Sequence, residues 1–142
     1  MYQVSSTRIL ALRGLYALMA VGLGLVIWPD LLALSANTPG PSSVVRALLG
    51  ALGLLAALGL RYPLQLLPVL LFELLWKTVW VLFVAWPAWH HGQLGSYAEA
   101  TFYECLPVFV LFPLVIPWRY VWARYVVAQG EPWRTGSAQS AA

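Results

Sequence analysis

Charged residues are scarce in this chain. Aspartate, glutamate, lysine and arginine together make up 9% of its 142 residues, whereas 61% of the residues are hydrophobic. A water-soluble domain of ordinary composition carries about a quarter charged residues. The deficit excludes such a domain, and the length leaves room for one membrane-embedded helical bundle.

Cysteine is almost absent as well, since Cys105 is the only one. A single thiol excludes an intrachain disulfide and a multi-cysteine metal site, and we interpret Cys105 as a small buried apolar residue. The adjacent His90 and His91 lack a third ligand at a fixed spacing, which favours exposed loop residues over metal ligands. The sequence therefore predicts no metal site and no cofactor.

Motifs that would name a reaction are missing too. The chain has no nucleophile elbow, zincin helix, phosphate-binding loop or dinucleotide fingerprint, so no catalytic residue is predicted. Its net charge of +3 comes mostly from single arginines at the ends of apolar runs. This distribution is typical of membrane proteins and argues against nucleic-acid binding. The partner that the composition predicts is the lipid bilayer.

Long apolar runs are what the chain does contain. They predict four membrane-spanning helices, at about residues 8–28, 44–60, 63–86 and 97–124. We expect the first helix to stop at Trp28 and Pro29, where a proline breaks the pattern. Ser96 followed by Glu99 matches a capping box, which predicts that the fourth helix begins near Tyr97.

The arginines predict the orientation of this bundle. Every arginine except Arg46 falls on the side that holds both termini. By the positive-inside rule both termini lie in the cytoplasm, which gives an up-down-up-down, all-α four-helix bundle in the bacterial inner membrane. Residues 1–129 form this single domain, and residues 130–142 are predicted to be a disordered cytoplasmic tail.

Prolines and small residues predict how the helices bend and pack. Pro68 lies in the third predicted helix, and the fourth contains Pro107, Pro113 and Pro117. Each proline removes a backbone donor, so we expect interruptions there and a bent fourth helix. The second helix is rich in small residues that allow close packing, namely Ala47, Gly50, Ala51, Gly53, Ala56, Ala57 and Gly59. The first helix offers Ala20 and Gly24 as a matching pair.

A polar face lies in the middle of the third helix. Glu73, Trp76, Lys77 and Trp80 recur at spacings of three and four residues, so they share one side of the helix. Ionisable side chains at this depth are costly unless they are paired. Two interpretations are open: a self-neutralising Glu73–Lys77 pair that fixes packing, or a binding site for a proton, an ion or an amphipathic ligand.

A second polar group lies toward the outer side and consists of Asp30, Arg46, Glu99 and Glu104. At 1.5 Å per residue, Glu104 lies about 12 Å into its helix, near the expected level of Arg46. We therefore predict an Arg46–Glu104 contact. Together these four side chains would outline a polar vestibule that opens outward above the Glu73–Lys77 pair.

The first half of the chain has a layout found elsewhere. A helix ends at Trp28-Pro29, a loop follows, and Arg46-Ala47-Leu48-Leu49-Gly50 opens a second helix rich in glycine and alanine. This layout resembles the DoxX-like small bacterial four-helix membrane proteins. The resemblance implies a four-helix fold, and some members of such families are linked to oxidoreductase complexes. The resemblance does not extend to the polar face that carries Glu73 and Lys77, which has no counterpart in the DoxX-like layout.

Three functions are compatible with these features. The first is a non-enzymatic membrane protein that binds a small lipophilic or protonatable ligand, or a partner subunit, through Glu73, Lys77, Trp76 and Trp80. The second is a small proton-coupled transporter that acts as a homo-oligomer, because four helices alone leave little space for a pathway. The third is an intramembrane enzyme that acts on lipid or quinone.

Overall fold

The computed structural model describes residues 3–33 and 39–130, which form helices joined by turns. The helices are α1 (Ser6–Leu32), α2 (Pro41–Gly59), α3 (Leu67–Trp80), α4 (Trp86–His90), α5 (Ser96–Val115) and α6 (Trp118–Val121). Two π-helical segments, Val81–Ala85 and Trp122–Val127, follow α3 and α6. The all-α prediction is confirmed for these parts of the chain. The predicted tail lies, from residue 131 onward, outside the described residues.

Four helical stretches in the described ranges are long and apolar enough to cross a membrane. They are Ser6–Leu32, Pro41–Gly59, Leu67–His90 and Ser96–Val115. The third stretch runs from α3 through the first π-helical segment into α4. Many of the large apolar side chains on these stretches are exposed on the outside of the protein. Extended apolar surface of this kind is typical of a protein surrounded by lipid.

The spanning stretches pack as a bundle in which each contacts two others. α1 packs along α2, α2 against α3, α3 against α5, and α5 against α1. The interface between α1 and α2 is the most extensive of these. The buried core contains Leu12, Leu15, Tyr16, Met19, Leu52, Ala56, Leu67, Val69, Leu70, Phe112 and Ile116.

Glycines on α2 allow its close approach to α1. Gly50, Gly53 and Gly59 are buried, as the small-residue pattern predicts. A Cβ atom added to Gly59 would overlap the ring of Tyr16 on α1. The Tyr16 hydroxyl in turn donates a 3.0 Å hydrogen bond to the Pro63 carbonyl, in the turn after α2. This end of the interface therefore has no room for a larger residue.

The matching small pair predicted on α1 is only half correct. Ala20 packs against the core, but a Cβ atom at Gly24 would have no atom of a neighbouring helix within 4 Å. α1 contributes larger side chains to the interface instead. The Cβ atom of Leu23, for example, lies 3.2 Å from the position that a Cβ atom at Gly53 would occupy. The small residues of α2 therefore leave space for the large side chains of α1.

Several predicted helix boundaries differ from the observed ones. The third stretch begins at Leu67 rather than at Pro63 and ends at His90 rather than at Trp86. α1 does not stop at Pro29 but continues to Leu32, and the Ala33 amide donates a 3.1 Å hydrogen bond to the Pro29 carbonyl. A proline removes only its own amide donor, so the helix can continue beyond it. α2 begins at Pro41 rather than behind Ser43, with Gly40 as its N-cap residue. The fixed φ angle of proline suits the first helical position.

The third stretch is interrupted at a different place from the one predicted. Pro68 lies in the first turn of α3, where an amide has no intrahelical acceptor, so its missing donor has no effect there. The helix instead widens at Val81–Ala85, and the Trp86 amide donates to the Val81 carbonyl five residues earlier. Pro87 follows directly and cannot donate to the carbonyl one turn earlier, which explains the wider turn.

The predicted fourth helix is divided at Pro117. α5 ends at Val115 and α6 begins at Trp118, whereas Pro107 and Pro113 lie inside α5. Because Pro117 has no amide hydrogen, it cannot donate to the Pro113 carbonyl four residues earlier. The indole Nε1–H of Trp118 donates to that carbonyl instead, at 2.8 Å. The predicted bend within α5 stays a prediction.

Candidate functional site

Glu73 and Lys77 form a buried ion pair on α3. Lys77 Nζ lies 2.5 Å from Glu73 Oε1, and the two residues are 5% and 8% exposed. The glutamate precedes the lysine by four residues, which is the favourable order along a helix. Either charge alone would be strongly destabilising at this depth, so the pairing explains why the bundle tolerates both.

Trp76 completes this polar cluster. Its indole Nε1–H donates to Glu73 Oε2 at 2.7 Å, and the Lys77 ammonium lies 4.0 Å from the centroid of the Trp76 ring. Both carboxylate oxygens of Glu73 therefore accept a hydrogen bond. Within the described part of the chain, no buried side-chain nitrogen or oxygen lacks a partner. The cluster is internally satisfied, as a buried polar network must be to stabilise a fold.

Cys105 approaches this cluster from α5. The residue is 1% exposed, which confirms the predicted burial, and its thiol lies within electrostatic range of both Lys77 and Glu73. α3 and α5 also pack directly against each other. The ion pair therefore lies at the interface between these two helices.

Trp80, the fourth residue of the predicted face, makes no hydrogen bond to the described ion pair. Together with Trp76 it lines an open groove on the outer surface of α3, which we call the tryptophan groove. The groove has a volume of about 390 Å³, and its other walls are Phe72, Leu75, Val79, Phe83 and Val84. Trp76 therefore belongs both to the wall of the groove and to the buried cluster.

A cleft lies between the end of the third stretch and the start of α5, and we call it the outer cleft. Its volume is about 350 Å³, and its lining includes Val81, Trp86, Trp89, Glu99, Phe102 and Tyr103. Val81 follows Lys77 by four residues, so the cleft begins about one helical turn from the buried pair.

The side chains predicted to outline an outer vestibule are spread over three helices. Glu99 lines the outer cleft. Asp30 is exposed in the last turn of α1, Arg46 is half-buried on α2, and Glu104 is exposed on α5. The predicted Arg46–Glu104 contact would require α2 to pack against α5. α5 packs mainly against α1 and the third stretch instead. That contact stays a prediction.

The capping box predicted for Ser96 and Glu99 is not formed. α5 begins at Ser96, and the N-cap residue is Gly95, which has no side chain to accept a hydrogen bond. Ser96 therefore lies one residue too far along the helix to act as the cap. The carboxylate of Glu99 is not engaged in capping and lines the outer cleft instead.

Metal-ligating residues do not gather in the regions that the structure describes. No three histidine, cysteine, aspartate or glutamate side chains there lie in an arrangement that could hold a metal ion. His90 ends α4 and His91 follows it; both are exposed, with ring centroids 5.9 Å apart.

The outer cleft is not among the features that the sequence predicts. Trp86 and Trp89 recur at a spacing of three near the end of one spanning stretch, and Phe102 lies at the same spacing from Glu99 on the next. These spacings indicate shared faces within each helix. They do not indicate that the two faces meet, because that depends on how α5 packs against the third stretch.

Comparison of the chain with protein-family models, with curated proteins and with solved structures gives no match.

Proposed function

We propose that this chain is a non-enzymatic bacterial inner-membrane protein that binds a small lipophilic ligand in the tryptophan groove. The observation that carries the proposal is the double role of Trp76. Its indole N–H donates to the buried Glu73 carboxylate, while its ring forms part of the groove wall. A wall held in place by a partly buried hydrogen bond is ordered before the ligand arrives, which reduces the entropic cost of binding.

The proposed topology is up-down-up-down, with both termini in the cytoplasm. Short connections join the four spanning stretches, so each can return across the membrane beside the one before it. Arg8 and Arg13 lie near the start of α1, and Arg119 and Arg124 follow α5. The positive-inside rule places these ends in the cytoplasm. We also propose that the chain is related to the DoxX-like proteins, and we infer from this resemblance only the four-helix fold.

A partner subunit is the second occupant that the tryptophan groove would fit. Phe72, Leu75 and Phe83 are exposed on the groove side of the third stretch. Side chains of this size can pack against a neighbouring transmembrane helix as well as against a small molecule. A second copy of this chain would supply such a helix.

A proton-coupled transporter remains the alternative, and the position of the outer cleft favours it. The cleft begins about one turn from Lys77, so a short opening would connect it with the ion pair. The hydrogen bonds of Glu73 argue against transport. Lys77 and Trp76 each donate to one of its carboxylate oxygens, which favours an ion pair that stabilises packing. Proton flux in liposomes that is lost in Glu73→Gln would select the transporter.

Native mass spectrometry of the gently extracted protein tests the main proposal. Trp80→Ala removes one wall of the groove without removing the Trp76–Glu73 hydrogen bond, and Trp122→Ala removes an exposed indole far along the chain. We expect a retained lipophilic molecule in the wild type and in Trp122→Ala, and its loss in Trp80→Ala. Equal retention in all three proteins would contradict ligand binding in the groove, and retained protein dimers lost in Trp80→Ala would favour the partner subunit.

A further inference from the structure

Four aromatic side chains line the outer cleft from two sides. Trp86 and Trp89 come from α4, with ring centroids 5.6 Å apart. Phe102 and Tyr103 come from α5, with ring centroids 6.2 Å apart. The faces of aromatic rings are negatively polarised and attract cations, and quaternary ammonium groups are commonly recognised in this way.

Glu99 adds a formal negative charge to the same cleft. Within the described residues its side chain has no hydrogen bond and no ion pair, and no lysine or arginine lines the cleft. His90 and His91 are exposed beyond α4 and do not line it either. Among the described residues no counter-ion accompanies the Glu99 carboxylate, which lines the same cleft as the aromatic rings that attract positive charge.

The remaining lining of the outer cleft is apolar. Val81, Ala85 and Leu94 contribute to it, and Ala85 is buried. The volume of about 350 Å³ falls at the small end of the range for ligand sites, roughly 300 to 1,000 Å³. One carboxylate among apolar walls is a poor site for a metal ion, which needs several oxygen or nitrogen ligands. The lining suits a cation that carries its own apolar surface.

From these features we propose that the outer cleft binds an organic ammonium cation attached to a short apolar group. The ammonium lies between the aromatic rings and the Glu99 carboxylate, and the apolar group covers Val81 and Ala85. This site is separate from the tryptophan groove, so the two proposals stand independently. The ammonium can belong to the headgroup of a lipid or to a free amphipathic amine, which present the same chemistry to the cleft.

Binding of phenyltrimethylammonium to the full-length protein in a non-ionic maltoside detergent tests this proposal. We expect saturable binding in isothermal titration calorimetry, weakened about tenfold in Glu99→Gln because the counter-charge is lost. Glu104→Gln is the matched control, since it removes a carboxylate from the same helix that does not line the cleft, and affinity should stay within about twofold. Unchanged affinity in Glu99→Gln, or equal losses in both variants, would overturn the proposal.

A second pair of variants tests the aromatic walls. Trp89→Ala should weaken binding about tenfold, whereas Trp89→Phe, which keeps an aromatic face, should keep most of the affinity. Circular dichroism and the elution volume on size exclusion check that both variants are folded. Wild-type affinity in a folded Trp89→Ala protein would show that the rings do not hold the cation.

Nanodiscs of two compositions distinguish the two sources of the ammonium. One contains phosphatidylglycerol alone, and the other also contains phosphatidylethanolamine, whose headgroup carries an ammonium. If phosphatidylethanolamine competes with the probe, and the competition is absent in Glu99→Gln, the site takes a lipid headgroup. If affinity is equal in both nanodiscs and still depends on Glu99, the site takes a free amine. Absence of saturable binding in both would overturn the proposal.

Discussion

The Tyr16 hydroxyl on α1 donates a buried 3.0 Å hydrogen bond to the Pro63 carbonyl in the turn between α2 and α3. Tyr16 is fully buried, and its ring lies directly against Gly59, the last residue of α2. One side chain therefore holds α1, the end of α2 and the following turn together. Packing and hydrogen bonding, two of the interactions that associate helices in a membrane, coincide at this point.

Tyr16→Phe should lower the free energy of unfolding by about 1–2 kcal/mol, because the buried Pro63 carbonyl loses its donor. The measurement is reversible unfolding in mixed micelles by titration with sodium dodecyl sulfate. Tyr62→Phe is the control, since Tyr62 is exposed and its change should have little effect. Equal stability of Tyr16→Phe and the wild type would show that the hydrogen bond contributes nothing to the bundle.

Gly59→Ala should destabilise the protein by about 1–3 kcal/mol, because the new methyl group would overlap the Tyr16 ring. Gly22→Ala provides a comparison, because an added Cβ atom there would have no atom of a neighbouring helix within 4 Å. That change should be neutral or stabilising by up to about 1 kcal/mol, since alanine favours the helix. The same unfolding titration measures both. If the two variants lose stability equally, the close contact between α1 and α2 is not a determinant of the fold.

The proposed topology predicts which side of the membrane each end faces. In a Cys105→Ala background, Gln93→Cys lies between α4 and α5, and Gln3→Cys precedes α1. A membrane-impermeant maleimide added to intact cells should label Gln93→Cys, and should label Gln3→Cys only after lysis. The unmodified protein should stay unlabelled until it is denatured, because Cys105 is buried. Labelling of Gln3→Cys in intact cells would contradict the topology.

The four spanning stretches could be predicted from the sequence, whereas several of their ends could not. Long apolar runs determine the number of helices, because lipid demands helices of a certain length. Pro29, Pro68 and Pro117 occupy three different situations: within a helix, in a first turn and at a break between helices. The presence of a proline therefore does not by itself determine the local structure. Which structure forms depends on neighbouring donors such as the Trp118 indole.

The ion pair could also be predicted from the sequence. It could not be predicted that the tryptophans of the same helical face line a surface groove. The spacing of Glu73 and Lys77 is sufficient to bring their side chains together on a helix. The same spacing assigns Trp76 and Trp80 to that face, yet both line an open surface groove. A helical face is broad. Whether the residues at its edges point into the bundle or toward lipid depends on where the neighbouring helices pack. For the same reason, the role of Glu99 in the outer cleft depends on packing that the sequence does not show.

We expect the Glu73–Lys77 pair to act as one neutral unit inside the bundle. A double-mutant cycle with Glu73→Gln, Lys77→Met and the combined variant measures this coupling by unfolding in mixed micelles. Each single change leaves the other charge buried and should cost about 3–5 kcal/mol. The combined variant keeps a side chain that can accept from the Trp76 indole, so its loss should fall short of the summed single losses by about 2 kcal/mol. Additive losses, agreeing within about 0.5 kcal/mol, would contradict this expectation.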